Sequence, residues 1–140
     1  VYLREMKKGT NKILVDRIFG LTDGVYNLNI YSYKEFKELV LKSSPQSIYI
    51  DNSKNRKKRY HVQRCRYFYD LFLQNKKVDP ISIDAYCYGE HVTPYPVIDD
   101  GNHRLIAAKI AGIKTIKAYY GGRLDTLRYL QGKRKTLPEE

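Results

Sequence analysis

The sequence is short of sulfur and of negative charge. Its two cysteines, Cys65 and Cys87, are too few for a disulfide framework or a zinc cluster, and both read as small buried hydrophobes. No apolar run approaches the length of a bilayer span, so no membrane partner is expected. No signal peptide is legible, and a reduced, cytoplasmic setting is the expectation. The first residue is Val1 rather than Met, which reads as a fragment and leaves a preceding targeting segment open. Internal repeats and low-complexity blocks are also missing. At 140 residues and 42% hydrophobic content, the chain suffices for one domain with its own core.

The shortage of acid matters most. Fifteen Asp and Glu face 26 Lys and Arg, a net charge of +11. Such a balance favours nucleic acid, free nucleotides or anionic surfaces as partners. The cations are clustered: Lys54, Arg56, Lys57, Lys58 and Arg59 crowd one stretch, and Arg123, Arg128, Lys133, Arg134 and Lys135 another. The first cluster reads as a basic loop over residues 51–59 and as a nucleic-acid footprint, with Tyr60, Tyr67 and Tyr69 as stacking faces. DNA is the expected partner. The plain alternative is a solvated surface.

Periodicity sketches the elements. Lys12 to Phe19 is apolar but too short to separate strand from helix. Tyr26 to Tyr31 alternates as a strand does. Ser32 and Glu35 have capping-box spacing, predicting a helix with Phe36, Leu39 and Val40 on one face that ends near Ser43. Ser47 to Ile50 reads as a strand. Val62, Cys65, Phe68 or Tyr69, and Phe72 share a helical face. Ile81 to Tyr88 alternates as a strand, Gly89 to Pro94 reads as a loop, and Tyr95 to Ile98 as a second strand. A helix follows, closed by Gly112. Thr115 to Tyr120 is a further strand, Gly121-Gly122 a flexible joint, and Leu124 to Leu130 a last short helix before a frayed tail. Helices and strands mix without a regular βαβ rhythm, so the expected class is α+β, a compact mixed sheet with flanking helices.

Asp99 to Gly112 carries the densest chemical information. Gly101 supplies a backbone conformation other residues avoid, and Asn102 is the expected N-cap. The free N–H groups of the first helical turn then lie beside His103 and Arg104, which makes an anion site. Arg104 offers a planar fork for phosphate oxygens. His103 either donates to phosphate or caps a neighbouring carbonyl. Strand alternation lets only one of Asp99 and Asp100 face the phosphates. Asp100 then serves as a carboxylate for Mg²⁺ and for catalysis, or it merely ends the strand with Arg104 neutralising it. Arg64, near the start of the preceding helix, or Arg56 to Arg59, closes over the phosphate tail from the other side, or each simply belongs to a solvated basic face.

The string Asp-Gly-Asn-His-Arg followed by Leu-Ile-Ala-Ala-Lys-Ile-Ala-Gly resembles the signature of the ParB/sulfiredoxin superfamily. The resemblance covers about Ile48 to Tyr120 and includes Val78-Asp79-Pro80-Ile81-Ser82-Ile83, which looks like that family's Pro-Ile strand. It implies a nucleoside triphosphate, with Mg²⁺, held at Gly101, Asn102, His103 and Arg104. It also implies a domain that acts on or beside DNA as an NTPase or in a nuclease-like manner. A small-molecule kinase of the free-serine type, with Asp100 as its base, and an inactive adaptor are the alternatives. Two departures narrow the resemblance. Asn102 stands where sulfiredoxin has its reactive cysteine, and an amide cannot be that nucleophile. The turn reads Gly-Asn-His-Arg rather than Gly-Glu-Arg-Arg, and 140 residues leave no room for the DNA-binding and dimerisation segments of a complete partition protein. The expected division is an N-terminal extension (1–46) available to a protein partner, a ParB/sulfiredoxin-like domain (47–122) and a basic C-terminal helix and tail (123–140).

Overall fold

The computed structural model describes residues 2–3, 9–22, 32–44 and 56–140. Along the chain these form β1 Tyr2–Leu3, β2 Asn11–Leu14, α1 Val15–Thr22, α2 Tyr33–Lys42 and α3 Arg56–Leu73. Then come β3 Ile81–Tyr88, β4 His91–Asp100, α4 Asn102–Ile110, β5 Thr115–Tyr120, β6 Gly122–Arg123 and α5 Leu124–Leu130. The class is α+β. The strands predicted at Tyr26 to Tyr31 and Ser47 to Ile50 lie outside the described residues.

The main sheet is mixed, in the order β2-β5-β3-β4. β3 runs parallel to β5, while β2–β5 and β3–β4 are antiparallel pairs. β1 and β6 form a separate two-residue ribbon. One face of the sheet supplies Ile13, Ile81, Ile83, Ile98, Ile116, Ala118 and Tyr120 to the main core. Val15 and Ile18 of α1, Leu105 and Ala108 of α4, and Leu127 and Leu130 of α5 pack against them. A second cluster joins Ile106 and Ile110 of α4 to Phe36 and Val40 of α2 and Cys65 of α3. α4 is therefore buried on both sides, which explains a helix that is apolar almost all round. Small Ala107 and Ala108, both fully buried, allow that close packing.

Several local expectations are met. Ser32 caps α2, its hydroxyl accepting from the Glu35 N–H at 3.3 Å. The ambiguous run from Lys12 to Phe19 contains both states: β2 passes directly into α1, and the Val15 N–H donates to the Lys114 carbonyl at 2.9 Å.

Other expectations are corrected. Leu39 is exposed, because the packed face of α2 is carried by Phe36 and Val40, with Tyr33 partly buried against the same cluster. The basic stretch is not all loop: α3 starts at Arg56, since Lys and Arg are good helix formers and no breaker precedes Val62. Gly89 to Pro94 is not a loop either. A two-residue Gly89–Glu90 turn joins β3 to β4, and Pro94 and Pro96 fit because β4 is, among the described residues, an edge strand with a bulge opposite Tyr86. There the Thr93 hydroxyl donates to the Tyr86 carbonyl at 2.6 Å. Gly121-Gly122 is buried structure rather than a flexible joint: the Gly121 N–H donates to the Ile83 carbonyl at 2.9 Å, and Gly122 pairs with Leu3. The tail is pinned, not frayed. Nη1 of Arg17 reaches the carbonyls of Tyr129 and Arg134, each at 2.6 Å, and Pro138 is buried.

Candidate functional site

The chain leaves β4 through Gly101, which has φ 111° and ψ 23° and is itself the N-cap of α4. This corrects the assignment of the cap to Asn102, which is the first helical residue. The turn needs positive φ at the residue before the helix, and glycine alone takes it without strain. The space there is closed as well. A Cβ on Gly101 would lie 2.5 Å from Cγ2 of Ile81 and 2.8 Å from its Cβ. The turn thus presses directly on the first residue of β3.

Arg104 fastens the same junction. Its Nη1 donates to the carbonyls of Asp79 at 3.1 Å and Pro80 at 2.7 Å, and its Nη2 donates to Oδ2 of Asp100 at 2.9 Å. The Arg104 side chain is 12% exposed and that of Asp100 76%. The guanidinium is part brace and part wall of an open cleft of about 390 Å³. Its lining includes Arg64, Phe68, Asp79, Asp100, Arg104 and Tyr119. Phe68 is the shared floor: the guanidinium of Arg64 lies 4.8 Å from its ring centre and that of Arg104 6.0 Å. Two guanidinium groups therefore lie against one aromatic ring, in a cleft that Asp79 and Asp100 also line.

His103 points elsewhere. Its Nε2 lies 2.7 Å from Nδ1 of His61, with the rings stacked at 4.9 Å and 20°. The Tyr60 ring meets His103 edge-on at 5.9 Å. In that hydrogen bond one nitrogen donates and the other accepts, so the accepting ring is neutral. Burial first, then the charges of His61, Arg64 and Arg104, hold the His103 pKa down to about 4. At neutral pH His103 is an uncharged imidazole.

Of the residues singled out in the sequence, the fold brings Arg64, Asp100 and Arg104 into one cleft beside Gly101. It sets His103 into a histidine pair. Asn102 has a buried Oδ1 with no hydrogen-bond partner. Arg56, Lys57 and Lys58 lie in the first turn of α3, Arg59 is exposed, and Lys54 lies outside the described residues. Cys65 is fully buried, whereas Cys87 is half-buried with its thiol 3.4 Å from the Ala85 carbonyl.

Sequence reasoning missed His61, Phe68 as a floor, Asp79 and Tyr119. His61 falls three residues before Arg64 on α3, a signal available once the helix is extended back to Arg56. Tyr119 and Asp79 come from separate segments and carry no local signal. Among the described residues no three His, Cys, Asp or Glu side chains gather as a metal site. A cation would therefore draw on Asp79 or Asp100 together with ligand oxygens. No family model, curated protein or solved structure matches the chain.

Proposed function

We propose that the cleft between α3 and the Gly101 turn binds a nucleoside triphosphate with Mg²⁺, in a domain of ParB/sulfiredoxin type. The carrying observation is the pair of guanidinium groups, Arg64 and Arg104, against the Phe68 ring in a cleft that Asp79 and Asp100 also line. Two guanidinium groups suit the phosphate oxygens. The two carboxylates suit Mg²⁺, which takes one or two carboxylates along with phosphate oxygens and water. A volume of about 390 Å³ lies within the usual size of small-ligand sites. In this reading Asp100, open to solvent at 76%, accepts a proton from a water attacking the terminal phosphorus, and Asp79 is the carboxylate left for Mg²⁺. That attack breaks the bridging P–O bond and releases a nucleoside diphosphate and phosphate. A net charge of +11 and the basic first turn of α3 support DNA as the macromolecular partner.

The test is a thermal-shift panel of nucleoside triphosphates with and without Mg²⁺. A ligand at 100 times its dissociation constant stabilises the native state by about 2.7 kcal/mol. Arg64→Ala is the informative variant, because Arg104 also braces the backbone. The expected result is a Mg²⁺-dependent shift that Arg64→Ala abolishes. No shift with any triphosphate, or an undiminished shift in the variant, overturns the assignment.

A further inference from the structure

Among the described residues, helices cover only one face of the main sheet. The opposite face has its own order. At the β2–β5 edge Lys12 stands directly opposite Lys117, and both are exposed. Two residues on, Tyr119 lies beside Ser82 of β3. The same face continues along β3 through Asp84, opposite Val97, to Tyr86 and Tyr88. Tyr86 and Tyr88 meet edge-to-face at 5.1 Å, and Tyr86 first, with smaller effects of Glu140 and then Tyr95, raises the pKa of the Tyr88 phenol. These rings are far from buried: Tyr86 is 51% exposed, Tyr88 61% and Tyr95 45%, with Val97 and Tyr119 also open.

Two features of this face call for an anionic, aromatic ligand. Like charges directly opposite one another weaken a strand pair, and neither Lys12 nor Lys117 joins an ion pair among the described residues. The exposed tyrosines offer flat faces on which nucleobases stack. We propose that this open face binds a single-stranded polynucleotide, its bases stacking on Tyr119, Tyr95, Tyr86 and Tyr88 and its phosphates lying at Lys12 and Lys117.

A duplex keeps its base faces stacked inside, whereas a single strand presents them to aromatic platforms. From Ser82 to Tyr88 the platform runs about 20 Å, room for two or three stacked bases. Asp84 interrupts any continuous phosphate track, and its Oδ1 is turned to the Ala85 N–H at 2.8 Å. Contact in that region falls to base faces rather than to phosphate. Glu140, 3.5 Å from Nε2 of His91, marks the far edge. Tyr119 also lines the Arg64–Arg104 cleft, so the two surfaces meet there. The inference stands without a nucleotide in that cleft.

The experiment is fluorescence anisotropy with a labelled oligothymidylate of about 12 nucleotides, a length within known site sizes. Single-strand binding well above that of a duplex of equal length is expected. Tyr86→Ala with Tyr88→Ala weakens it by at least about tenfold, from lost base stacking. Lys12→Ala with Lys117→Ala lowers the slope of log affinity against log salt by roughly 1.4, two phosphate contacts' worth. Should the double tyrosine variant fail to fold, Tyr88→Ala alone gives the same reading at the most exposed ring. Equal affinity for duplex and single strand, or full affinity without the tyrosines, overturns the proposal. So does a wild-type protein that ignores the oligonucleotide, whether as a monomer or as a dimer dissociated by the tyrosine changes.

Discussion

Replacing Gly101 with alanine tests whether the turn is held by sterics or merely permitted by glycine. At φ 111° an L-residue is strained, at a cost of order 1–3 kcal/mol. The added methyl also meets Ile81, with Cγ2 at 2.5 Å, Cβ at 2.8 Å and Cα at 3.2 Å. Ile81 is fully buried and its Cβ and Cα are fixed to β3, so it cannot swing aside. Overpacking of this kind costs about 1–3 kcal/mol more. The sum, roughly 2–6 kcal/mol, corresponds to a melting temperature lower by on the order of 10–20 °C for a domain of this size. Gly112→Ala is the control, since φ there is 73° but nothing lies within 4 Å of its added Cβ. It carries the backbone cost alone. Urea unfolding of the three proteins at equal slope measures both terms. If Gly101→Ala costs no more than Gly112→Ala, the contact between turn and strand does not constrain the site and the argument fails.

Two further outcomes follow from the site and the tail. With the folded pKa of His103 near 4 against an ordinary 6.5, the unfolded chain binds a proton between those values that the folded one does not. Stability from this group is therefore complete above pH 6.5 and is lost as pH falls toward 4, by about 3 kcal/mol. Urea midpoints taken from pH 7.5 to 4.5 should fall less steeply in His103→Gln than in the parent, and identical slopes would refute the assignment. Arg17→Ala removes both carbonyl contacts and the stacking of its guanidinium 4.5 Å over the Tyr129 ring. The expected loss is about 1–3 kcal/mol, with trypsin cutting at Lys133 to Lys135 well before the rest of the domain. Unchanged cleavage kinetics would show that the tail is held by other contacts.

Local rules located most elements where a single signal dominated. Ser32 announced its cap, and Ile81, Ser82 and Ile83 announced their alternation, because those patterns are written in adjacent residues. The failures share a physical cause. Pro94 and Pro96 suggested a loop because proline lacks an N–H, yet an edge strand leaves some N–H groups unneeded, and edge position is a property of the whole sheet. The paired glycines at 121–122 suggested mobility, but Gly122 is required by closeness: an added Cβ would lie 2.8 Å from the Tyr120 hydroxyl and 3.1 Å from the Ala85 Cβ. At the site, Arg104 and Asp100 were legible from the turn, and Arg64 from its helix. The pairing of His61 with His103 across 42 positions, and the arrival of Asp79 and Tyr119 at the cleft, depend on packing between segments that no local pattern encodes.

The pairing of β2 with β5 also sets the order in which the molecule can be built. β2 is made early during synthesis, but among the described residues its only partner in the main sheet is β5, near the other end of the chain. Arg17, just after β2, reaches the carbonyl of Arg134 across 117 positions. Contacts so distant in sequence impose a large loop-closure cost before they return any stability, which slows folding. Until β5 emerges from the ribosome, β2 is an unpaired strand carrying Ile13, and Val15 and Ile18 beyond it lack their core. The hairpin of β3 and β4 has no such wait, because its partners are separated by two residues at the turn. The hairpin that carries Tyr86, Tyr88 and Tyr95 is thus the natural early structure, and closure of the sheet by β2 the late event that completes the fold.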